Sequence, residues 1–345
     1  MTPGEKSVSD WRAKAGRVGE LLPPVRWHPA VLAVAARSRK AEPWGVALSG
    51  GADSLALLLL LWAHFPERRA RLVALHFNHH LRGRASNADA TFCRKVCRAL
   101  GVRLRTGEWH GAAKDASEAG ARAARHGFFS REMKRLGAKK LWLAHQQDDV
   151  AESVLMRLAR GSGTGGLAAP RPVQSMPENR RHLRPLLTLK KAEIVAVLRQ
   201  AGVRWREDAT NESDDFFRNR VRSKVLPALI KSSGHDVLAG AALSRERLEE
   251  DDAALEAWLD RLGSLKRGVL DLGRLAGTPR AVWRRALHRW LLAVGPDTDL
   301  SRQGFALLLR AIEAGRPTRF SLGARAFAVI RQGRLTLKKR PAIPI

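Results

Sequence analysis

The sequence is poor in cysteine: its 345 residues include only Cys93 and Cys97. Their spacing differs from the CxxC pairs of zinc and iron–sulfur sites, and no second pair is present to complete such a site. On a helix the two thiols share one face, so we interpret them as buried core residues of a protein in a reducing cytosol. The eleven histidines show no metal-ligand spacing, so His79 and His80 are interpreted as loop residues.

Long apolar runs are also missing. No stretch of 18 apolar residues occurs, and no secretory signal opens the chain. The run at 55–65 is too short to cross a membrane, and we interpret it as a core helix. We therefore expect a cytoplasmic location, no membrane partner and, from the length, about two domains.

Acidic residues are scarce relative to basic ones: 33 Asp and Glu stand against 62 Lys and Arg, a formal net charge of +29. This excess predicts a polyanionic partner, most simply nucleic acid. The basic residues are spread through a globular pattern, so we interpret much of the charge as solvated surface, including Arg284, Arg285 and Arg289. Trp283 and Trp290, seven residues apart, are interpreted as a core stripe.

From Trp44 onward, strand-like and helical segments alternate. Strands are predicted at 46–48, 71–77, 102–105 and 140–144, helices at 54–64, 86–100, 118–136, 148–160, 189–200, 215–232, 243–262 and 280–294, and a hairpin at 319–338. The alternation predicts an α/β fold with a doubly wound parallel sheet that binds ligands at the carboxyl ends of its strands. We divide the chain into a loose basic extension (1–42, with a short helix near 29–39), a catalytic domain (43–234) and a smaller, mainly helical C-terminal domain (235–345).

The segment 46–54 reads VALSGGADS and joins a strand-like segment to an apolar helix. Such a turn aims backbone N–H groups and the positive end of a helix at one point, which suits an anion. It contains no lysine, so it is not a Walker A loop, which needs GxxxxGK followed by Ser or Thr. A plain turn that caps a core helix fits the same residues. The spelling SGGxDS resembles the pyrophosphatase loop (PP-loop) of enzymes that split ATP into AMP and pyrophosphate.

A second polar group, His145, Asp148, Asp149 and Glu152, follows the strand at 140–144. Asp149 and Glu152 are three residues apart and share a face of the predicted helix. They fit acids that complement a helix dipole, and they also fit a carboxylate pair that binds a cation or accepts a proton. Both interpretations can hold together.

Several separated blocks between residues 46 and 229 resemble the tRNA(Ile)-lysidine synthase family. They are HFNHHLRGRASNADA, ARAARHGFF, AHQQDDVAE with RLARGSGTGGLA, RPLLTLKKAEI and WREDATNESDDFFRNRVRSKVLPAL. The C-terminal region resembles the family only loosely. The chain departs from the usual pattern at Asn78, His80, Gln146 and Val150, where the family commonly has Asp, Gly, His and Gln.

The resemblance implies an enzyme that uses ATP and Mg²⁺ to adenylate the C2 oxygen of the wobble cytidine in a CAU-anticodon tRNA(Ile). Free L-lysine then attacks C2 through its side-chain amine and expels AMP, which gives lysidine. Because that amine has a pKa of about 10.4, a nearby carboxylate can both hold the ammonium and accept its proton. The family also suggests tRNA binding by the C-terminal domain and a homodimer as one possibility.

The resemblance assigns roles to individual residues, which stand here as predictions. ATP binding is assigned to Ser49, Gly50, Gly51, Asp53, Ser54, His76 and His145, and Mg²⁺ with pyrophosphate to Asp53. Lysine binding is assigned to Asp149 and Glu152, and catalysis to Asp53, Arg122, His145, Asp149 and Glu152. Contact with tRNA is assigned to Arg82, Arg125, Arg160, Gly161, Arg218, Arg220 and Arg222.

Two alternatives remain open at this point. A PP-loop enzyme that thiolates a tRNA base would need a catalytic cysteine or an iron–sulfur cluster, and Cys93 and Cys97 fall on a mid-domain helix away from the predicted site. A non-catalytic basic RNA-binding protein would tolerate the loss of Asp53, Asp149 or Glu152, all of which are present. Lysine-dependent release of AMP discriminates between these classes.

Overall fold

The computed structural model describes residues 3–78, 84–109, 118–207, 216–295, 300–323 and 326–339. It divides into two compact units, Met1–Arg247 and Leu248–Ile345. The helices are α1 (Pro3–Leu21), α2 (Pro29–Ala36), α3 (Ala52–His64), α4 (Arg84–Leu100), α5 (Glu118–Arg135), α6 (Gln147–Leu158), α7 (Thr164–Leu167), α8 (Lys191–Gln200), α9 (Phe217–Arg220), α10 (Leu226–Ser233), α11 (Val237–Leu262), α12 (Arg280–Val294) and α13 (Arg302–Glu313). The strands are β1 (Trp44–Ala47), β2 (Leu72–Asn78), β3 (Arg103–Glu108), β4 (Lys140–Trp142), β5 (Val173–Met176), β6 (Arg180–Leu183), β7 (Leu265–Lys266), β8 (Val269–Asp271), β9 (Thr318–Ser321), β10 (Ala326–Arg331) and β11 (Arg334–Lys339).

A six-stranded sheet lies at the centre of the first unit, in the order β3-β2-β1-β4-β6-β5. Neighbouring strands are parallel, except that the edge strand β5 runs antiparallel to β6. Ala47 pairs with Leu75 and Val46 pairs with Trp142, so the carboxyl ends of β1, β2 and β4 lie side by side. The predicted parallel α/β sheet is confirmed, and the β5–β6 hairpin is an addition that the sequence pattern did not indicate.

Helix α3 is the centre of the core of the first unit. Its residues 55–61 are at most 1% exposed, and apolar side chains from α1, α8 and the sheet belong to the same cluster. A helix that is enclosed on all sides must be apolar on all faces, which explains the unbroken run of leucines. Because α3 starts directly after the loop that follows β1, this burial fixes the position of the loop.

The short helix expected near 29–39 is confirmed as α2, but the rest of the N-terminal segment differs from the loose extension that was expected for residues 1–42. It forms α1 and α2, and Trp11, Ala15 and Val18 lie in the core on one face of α1. Gly19 packs so close to α3 that a Cβ at this position would lie 2.8 Å from a side-chain atom of that helix. The spacing of four and three residues is amphipathic, but the basic residues between these positions obscure it in the sequence.

The second unit has its own core, formed around α12, α13 and a five-stranded antiparallel sheet in the order β7-β8-β11-β10-β9. This sheet is larger than the hairpin predicted at 319–338. Trp290 is fully buried, its indole N–H donates to the Gly268 carbonyl at 2.9 Å, and Trp283 packs against the same core. The predicted tryptophan core stripe is therefore confirmed.

Two of the three arginines interpreted as surface charge in α12 have a structural role. Arg285 pairs with Asp252 at 2.5 Å and with Glu256 at 2.7 Å, and Arg289 pairs with Glu256 and Asp260. Since these acids lie on α11, the ion pairs join α11 to α12. None of the helices in the described part of the chain combines the length and the apolarity needed to cross a membrane.

Candidate active site at the carboxyl edge of the parallel sheet

The loop between β1 and α3 is built around two glycines and two serines. Gly50 has a φ of +93°, which glycine adopts without strain, and a Cβ there would lie 3.2 Å from Sγ of Cys93. Gly51 is the N-cap of α3. Ser54 Oγ accepts a hydrogen bond from the Ser49 N–H at 3.1 Å, and the two serine hydroxyls are 2.9 Å apart. These contacts fix the loop at a helix N-terminus, the position that favours a phosphate.

Asp53, in the first turn of α3, has a carboxylate oxygen that lacks a hydrogen-bond donor. Its Oδ1 is buried and meets no partner among the described residues. Burial, and then the Asp149 carboxylate, raise the pKa of Asp53 to about 6, while Lys191 and Arg222 act in the opposite direction. A buried carboxylate beside a second one fits a divalent cation, because Mg²⁺ is often held by one or two carboxylates together with substrate phosphates. The described residues hold no group of three or more His, Cys, Asp or Glu that could bind a metal by themselves.

His76 lies near the carboxyl end of β2, next to the loop. Its ring is buried, and Nδ1 lies 2.9 Å from the Leu48 carbonyl, which can only accept a hydrogen bond. Nδ1 therefore carries a proton. Burial lowers the pKa of His76, which favours the neutral ring and leaves Nε2 as an acceptor. That Nε2 is buried and meets no partner within the described ranges.

The residues after β4 form a capping box at the start of α6. Gln146 Oε1 accepts from the Asp148 N–H at 2.5 Å, and Asp149 Oδ2 accepts from the Gln146 N–H at 3.1 Å. Asp148 Oδ2 accepts from the backbone N–H of Lys191 at 2.9 Å, which ties α6 to α8. Gln146, one of the departures from the family pattern, is therefore the N-cap of this helix, and Val150, another, is fully buried.

Two buried carboxylates, Asp149 and Glu152, hold two guanidinium groups. Glu152 is 1% exposed; it accepts from Arg218 Nε at 2.8 Å, and from Arg222 Nε at 2.5 Å and Nη2 at 3.1 Å. Asp149 Oδ1 accepts from Arg218 Nη2 at 2.5 Å. Burial opposes the charge of Arg222, but its hydrogen bonds to Glu152 and the nearby Asp149 raise its pKa. The carboxylate pair predicted from the sequence therefore forms ion pairs with two arginines of the same chain, and its role as a binding site remains a prediction.

His145 lies between β4 and α6 and contacts a buried arginine. Arg184 Nε donates to His145 Nδ1 at 3.2 Å. Two further donors of Arg184 reach the Arg171 carbonyl at 2.8 Å and Gln174 Oε1 at 3.0 Å. Burial, followed by Arg184 and Arg218, lowers the pKa of His145 well below its ordinary value, so its ring is neutral at physiological pH.

Further arginines approach the same region from α5 and from the end of α6. Arg122 and Arg125 contribute to the lowered pKa of His145. Burial, and then Arg122 and Arg160, lower the pKa of Arg157, whose Nη1 also donates to a backbone carbonyl. Cations crowded to this degree are stabilised by an anion, and guanidinium groups match phosphate geometry.

Most of the predicted site residues lie at the carboxyl edge of the sheet. The residues found there are Ser49, Gly50, Gly51, Asp53, Ser54, His76, His145, Asp149, Glu152, Arg218 and Arg222. Arg160 and Gly161 are exposed just after α6, and the exposed Arg220 lies 5.9 Å from the ring of Phe217. Arg82 falls outside the described residues, as do His79 and His80. The roles assigned to all these residues remain predictions.

Sequence reasoning missed several residues of this region. Arg184 contacts His145, and Lys191 acts on Asp53. The backbone N–H of Arg206 donates to the Gly50 carbonyl at 3.0 Å, and its Nε donates to Asp89 at 2.8 Å. Arg206 therefore stabilises the loop between β1 and α3. All three lie inside blocks that resemble the family, at 184–194 and 205–229, so the resemblance could have pointed to them. Their contacts could not be predicted, because each joins residues that are far apart in the sequence.

The two cysteines do not belong to the site chemistry, but the expectation that both lie away from the site is wrong for Cys93, whose Sγ is 3.6 Å from His76 Nδ1. Cys93 and Cys97 are free and buried in α4, as predicted. Burial raises the pKa of each thiol to about 12, so neither forms a thiolate at neutral pH. Since the thiolate is the reactive form, neither residue is a nucleophile in this structure.

Comparison with known proteins identifies the class to which this loop and sheet belong. The PP-loop domain family matches residues 28–229. A solved U34-tRNA thiolase from Methanococcus maripaludis, with its 4Fe–4S cluster, shares the fold with a TM-score of 0.52 and 19% identity, over 69% of this chain and 78% of that one. The first unit of this chain therefore carries a PP-loop domain.

Curated relatives show which PP-loop family the chain belongs to. A tRNA(Ile)-lysidine synthase from a Bradyrhizobium strain is 39% identical over 270 residues, which cover 73% of this chain and 74% of that protein. The synthase of Symbiobacterium thermophilum is 40% identical over 68% of this chain, and that of Pseudomonas syringae pv. tomato is 37% identical over 81%. The chain belongs to the tRNA(Ile)-lysidine synthase family. It spans 49% and 64% of the length of the last two relatives.

Proposed function

We propose that this chain ligates free L-lysine to C2 of the wobble cytidine of CAU-anticodon tRNA(Ile), with ATP as co-substrate. The modification would change the codon that this tRNA recognises from AUG to AUA. In the first step the C2 oxygen of the cytidine attacks the α-phosphate of ATP and pyrophosphate leaves. In the second step the lysine side-chain nitrogen forms a bond to C2, and AMP departs with the C2 oxygen. The family membership supports this assignment, and the observation that carries it is the carboxylate pair Asp149 and Glu152 beside a phosphate loop.

The loop at 49–54 and Asp53 are suited to the first step. Backbone N–H groups and the serine hydroxyls offer donors to the phosphates at the N-terminus of α3. The buried Oδ1 of Asp53, which meets no donor among the described residues, fits Mg²⁺ held by one carboxylate together with the substrate phosphates. When bound there, the ion would neutralise charge on the pyrophosphate that leaves.

The Asp149–Glu152 pair is suited to the second step. The guanidinium groups of Arg218 and Arg222 show that this buried pair stabilises positive charge at 2.5–2.8 Å. The ammonium group of lysine would bind the same oxygens by displacing one of these guanidinium groups. A carboxylate that holds the ammonium can also remove its proton, which frees the nitrogen lone pair for attack on C2.

The tRNA would bind at the positively charged parts of the chain. Arg122, Arg125 and Arg160 lie near the site, and each is suited to a phosphate of the anticodon arm. In the second unit, residues 316–345 contain no acidic residue and eight basic ones, which supports a role of residues 235–345 in tRNA binding. The cytoplasmic location and a homodimer remain predictions.

Incorporation of radiolabelled lysine tests the proposal. The protein is incubated with ATP, Mg²⁺ and CAU-anticodon tRNA(Ile) transcript, and with a transcript in which uridine replaces the wobble cytidine. Asp149→Ala is the site variant, and Glu20→Ala, which removes an exposed acid from α1, is its matched control. Label that requires the cytidine and Asp149 but not Glu20 is the expected result.

Other outcomes of the same experiment point to other functions. Tight tRNA binding without any label would favour a non-catalytic RNA-binding protein. Label on the uridine transcript would show that the target base is wrong. The described residues do not favour a thiolase, since Cys93 and Cys97 are buried and protonated.

A further inference from the structure

The contact between Arg184 and His145 has a consequence for the proton of the histidine. A guanidinium group has only N–H donors and no acceptor. Because Arg184 Nε lies 3.2 Å from His145 Nδ1, that ring nitrogen must offer its lone pair. A neutral imidazole has one protonated and one unprotonated nitrogen, so the proton of His145 is on Nε2.

Arg184 is held firmly enough to impose this choice. It is 6% exposed, its Nη1 donates to the Arg171 carbonyl, and its Nη2 donates to Gln174 Oε1. Its backbone N–H donates to the Pro172 carbonyl at 2.8 Å. These acceptors lie in and just before β5, so the edge hairpin β5–β6 positions the guanidinium against His145.

The charged groups that act on His145 also keep its ring neutral. They come from three elements: Arg184 follows β6, Arg122 and Arg125 lie on α5, and Arg218 lies on α9. All four are cations, and each opposes a second proton on the imidazole. The Asp149 carboxylate acts on Arg184, whose charge it favours.

We propose that Arg184 is a positioning residue that fixes His145 as the neutral tautomer with its proton on Nε2, so that His145 donates a hydrogen bond in the reaction and does not act as a base. Its Nδ1 lone pair is used by Arg184 and its Nε2 carries the proton, so no nitrogen is available to accept one. The donor would stabilise negative charge that develops on a phosphate or on the C2 oxygen. Removal of the lysine proton then belongs to Asp149 or Glu152. The tautomer follows from the structure alone, whereas its role in the reaction rests on the proposed function.

The tautomer is measured directly by NMR on the full-length protein with nitrogen-15-labelled histidine. The His145 signals are those that disappear in His145→Gln. We expect one protonated nitrogen, Nε2, and one unprotonated nitrogen, Nδ1, with no titration from about pH 6 to pH 8, although an ordinary histidine titrates near 6.5. A proton on Nδ1, or a cationic ring at neutral pH, would overturn the proposal.

Substitution of the arginine tests its part in the arrangement. In Arg184→Gln the His145 signals should show both tautomers and a titration closer to the ordinary range. Arg181→Gln is the matched control, because Arg181 is an exposed arginine in the preceding strand and should leave the His145 signals unchanged. Unchanged signals in a folded Arg184→Gln protein would refute the positioning role. If that variant does not fold, the signals of the unsubstituted protein still decide the tautomer.

Two substitutions of the histidine test donation against base catalysis. Gln places an N–H donor near the position of Nε2 but cannot accept a proton at neutral pH, whereas Asn is too short to reach it. We expect His145→Gln to keep kcat within about tenfold, and His145→Asn to lose about 10²–10³, the usual effect of removing one such donor. Equal losses in both folded variants would refute donation. If no lysine is incorporated by the unsubstituted protein, the proposed function fails, but the NMR result still decides the tautomer.

Discussion

The substitution Glu152→Gln removes one charge from the cluster and keeps the size of the side chain. Glu152 is 1% exposed and accepts three hydrogen bonds from Arg218 and Arg222. Breaking a buried ion pair costs about 3–5 kcal/mol. The two arginine side chains are 24% and 31% exposed, so water compensates them in part, and we expect a loss of about 2–3 kcal/mol in the free energy of unfolding.

Urea unfolding at neutral pH measures this loss, and thermal unfolding should show a Tm that falls by roughly 4–12 °C. The control is Glu20→Gln, since Glu20 pairs with Arg17 on the surface and both side chains are more than half exposed. Exposed pairs contribute about 0–1 kcal/mol, so the control should change little. Equal effects of the two substitutions would show that the buried cluster is not formed as described.

The same variant separates a structural role from a binding role. A hydrogen bond to a charged group contributes about 1.5–3 kcal/mol, which corresponds to roughly 10–150-fold in affinity. We therefore expect Glu152→Gln to raise KM for lysine by about that factor and to leave KM for ATP within about threefold. A destabilised variant with an unchanged KM for lysine would refute the lysine site and leave the cluster as a structural feature.

Three further substitutions test the loop and the N-terminal helix. Because the pKa of Asp53 is raised to about 6 from 3.8, its charge destabilises the fold at neutral pH, and the free energy of unfolding should fall as pH rises from about 4 to 6. In urea unfolding, Asp53→Asn should remove that pH dependence and be about 1–2 kcal/mol more stable at pH 7. The variant should also lose any rise of Tm with millimolar Mg²⁺. Identical pH dependence in both proteins would contradict this origin. Gly50→Ala should weaken ATP binding, measured by calorimetry, at least tenfold. Gly101 also has a positive φ but lies in open space, so Gly101→Ala should lower the free energy of unfolding by about 1–2 kcal/mol without changing the affinity for ATP. Trp11→Ala should lower the free energy of unfolding in urea by about 3–5 kcal/mol. Val25 is 83% exposed, so Val25→Ala should lower it by about 0.5 kcal/mol or less. Similar losses in the two variants would place α1 outside the core.

The elements that the sequence predicted well are those with a local signal. The run of leucines in α3 can only be a buried helix, and the glycines after α4 and α5, Gly101 and Gly137, adopt positive φ values of 71° and 63° as helix ends require. The strand–loop–helix order around 46–54 then fixes the site at the carboxyl edge of the sheet. The carboxylate pair was visible for the same reason, since a spacing of three residues shares one helix face.

The contacts that the sequence could not predict join distant segments. His145 and Arg184 are 39 residues apart, and Arg206 and Asp89 are 117 apart. Neither spacing carries a helical or strand period, so only the folded sheet brings these groups together. The N-terminal helix α1 was missed for another reason: its apolar face is only one residue wide at each turn, and the charged residues around it dominate the composition.

The sequence left two explanations for the acids at the start of α6, and the geometry shows why both apply. Asp149 uses one oxygen, Oδ2, to accept the Gln146 N–H as a helix cap, and directs the other, Oδ1, to Arg218. The cap fixes the carboxylate in its rotamer, so its second oxygen meets a cation without a further loss of side-chain freedom. Glu152, one turn later on the same face, completes a pair that the helix itself holds in register. The helix-capping role therefore contributes to the ion pair with Arg218, because it orients the Asp149 carboxylate toward the guanidinium.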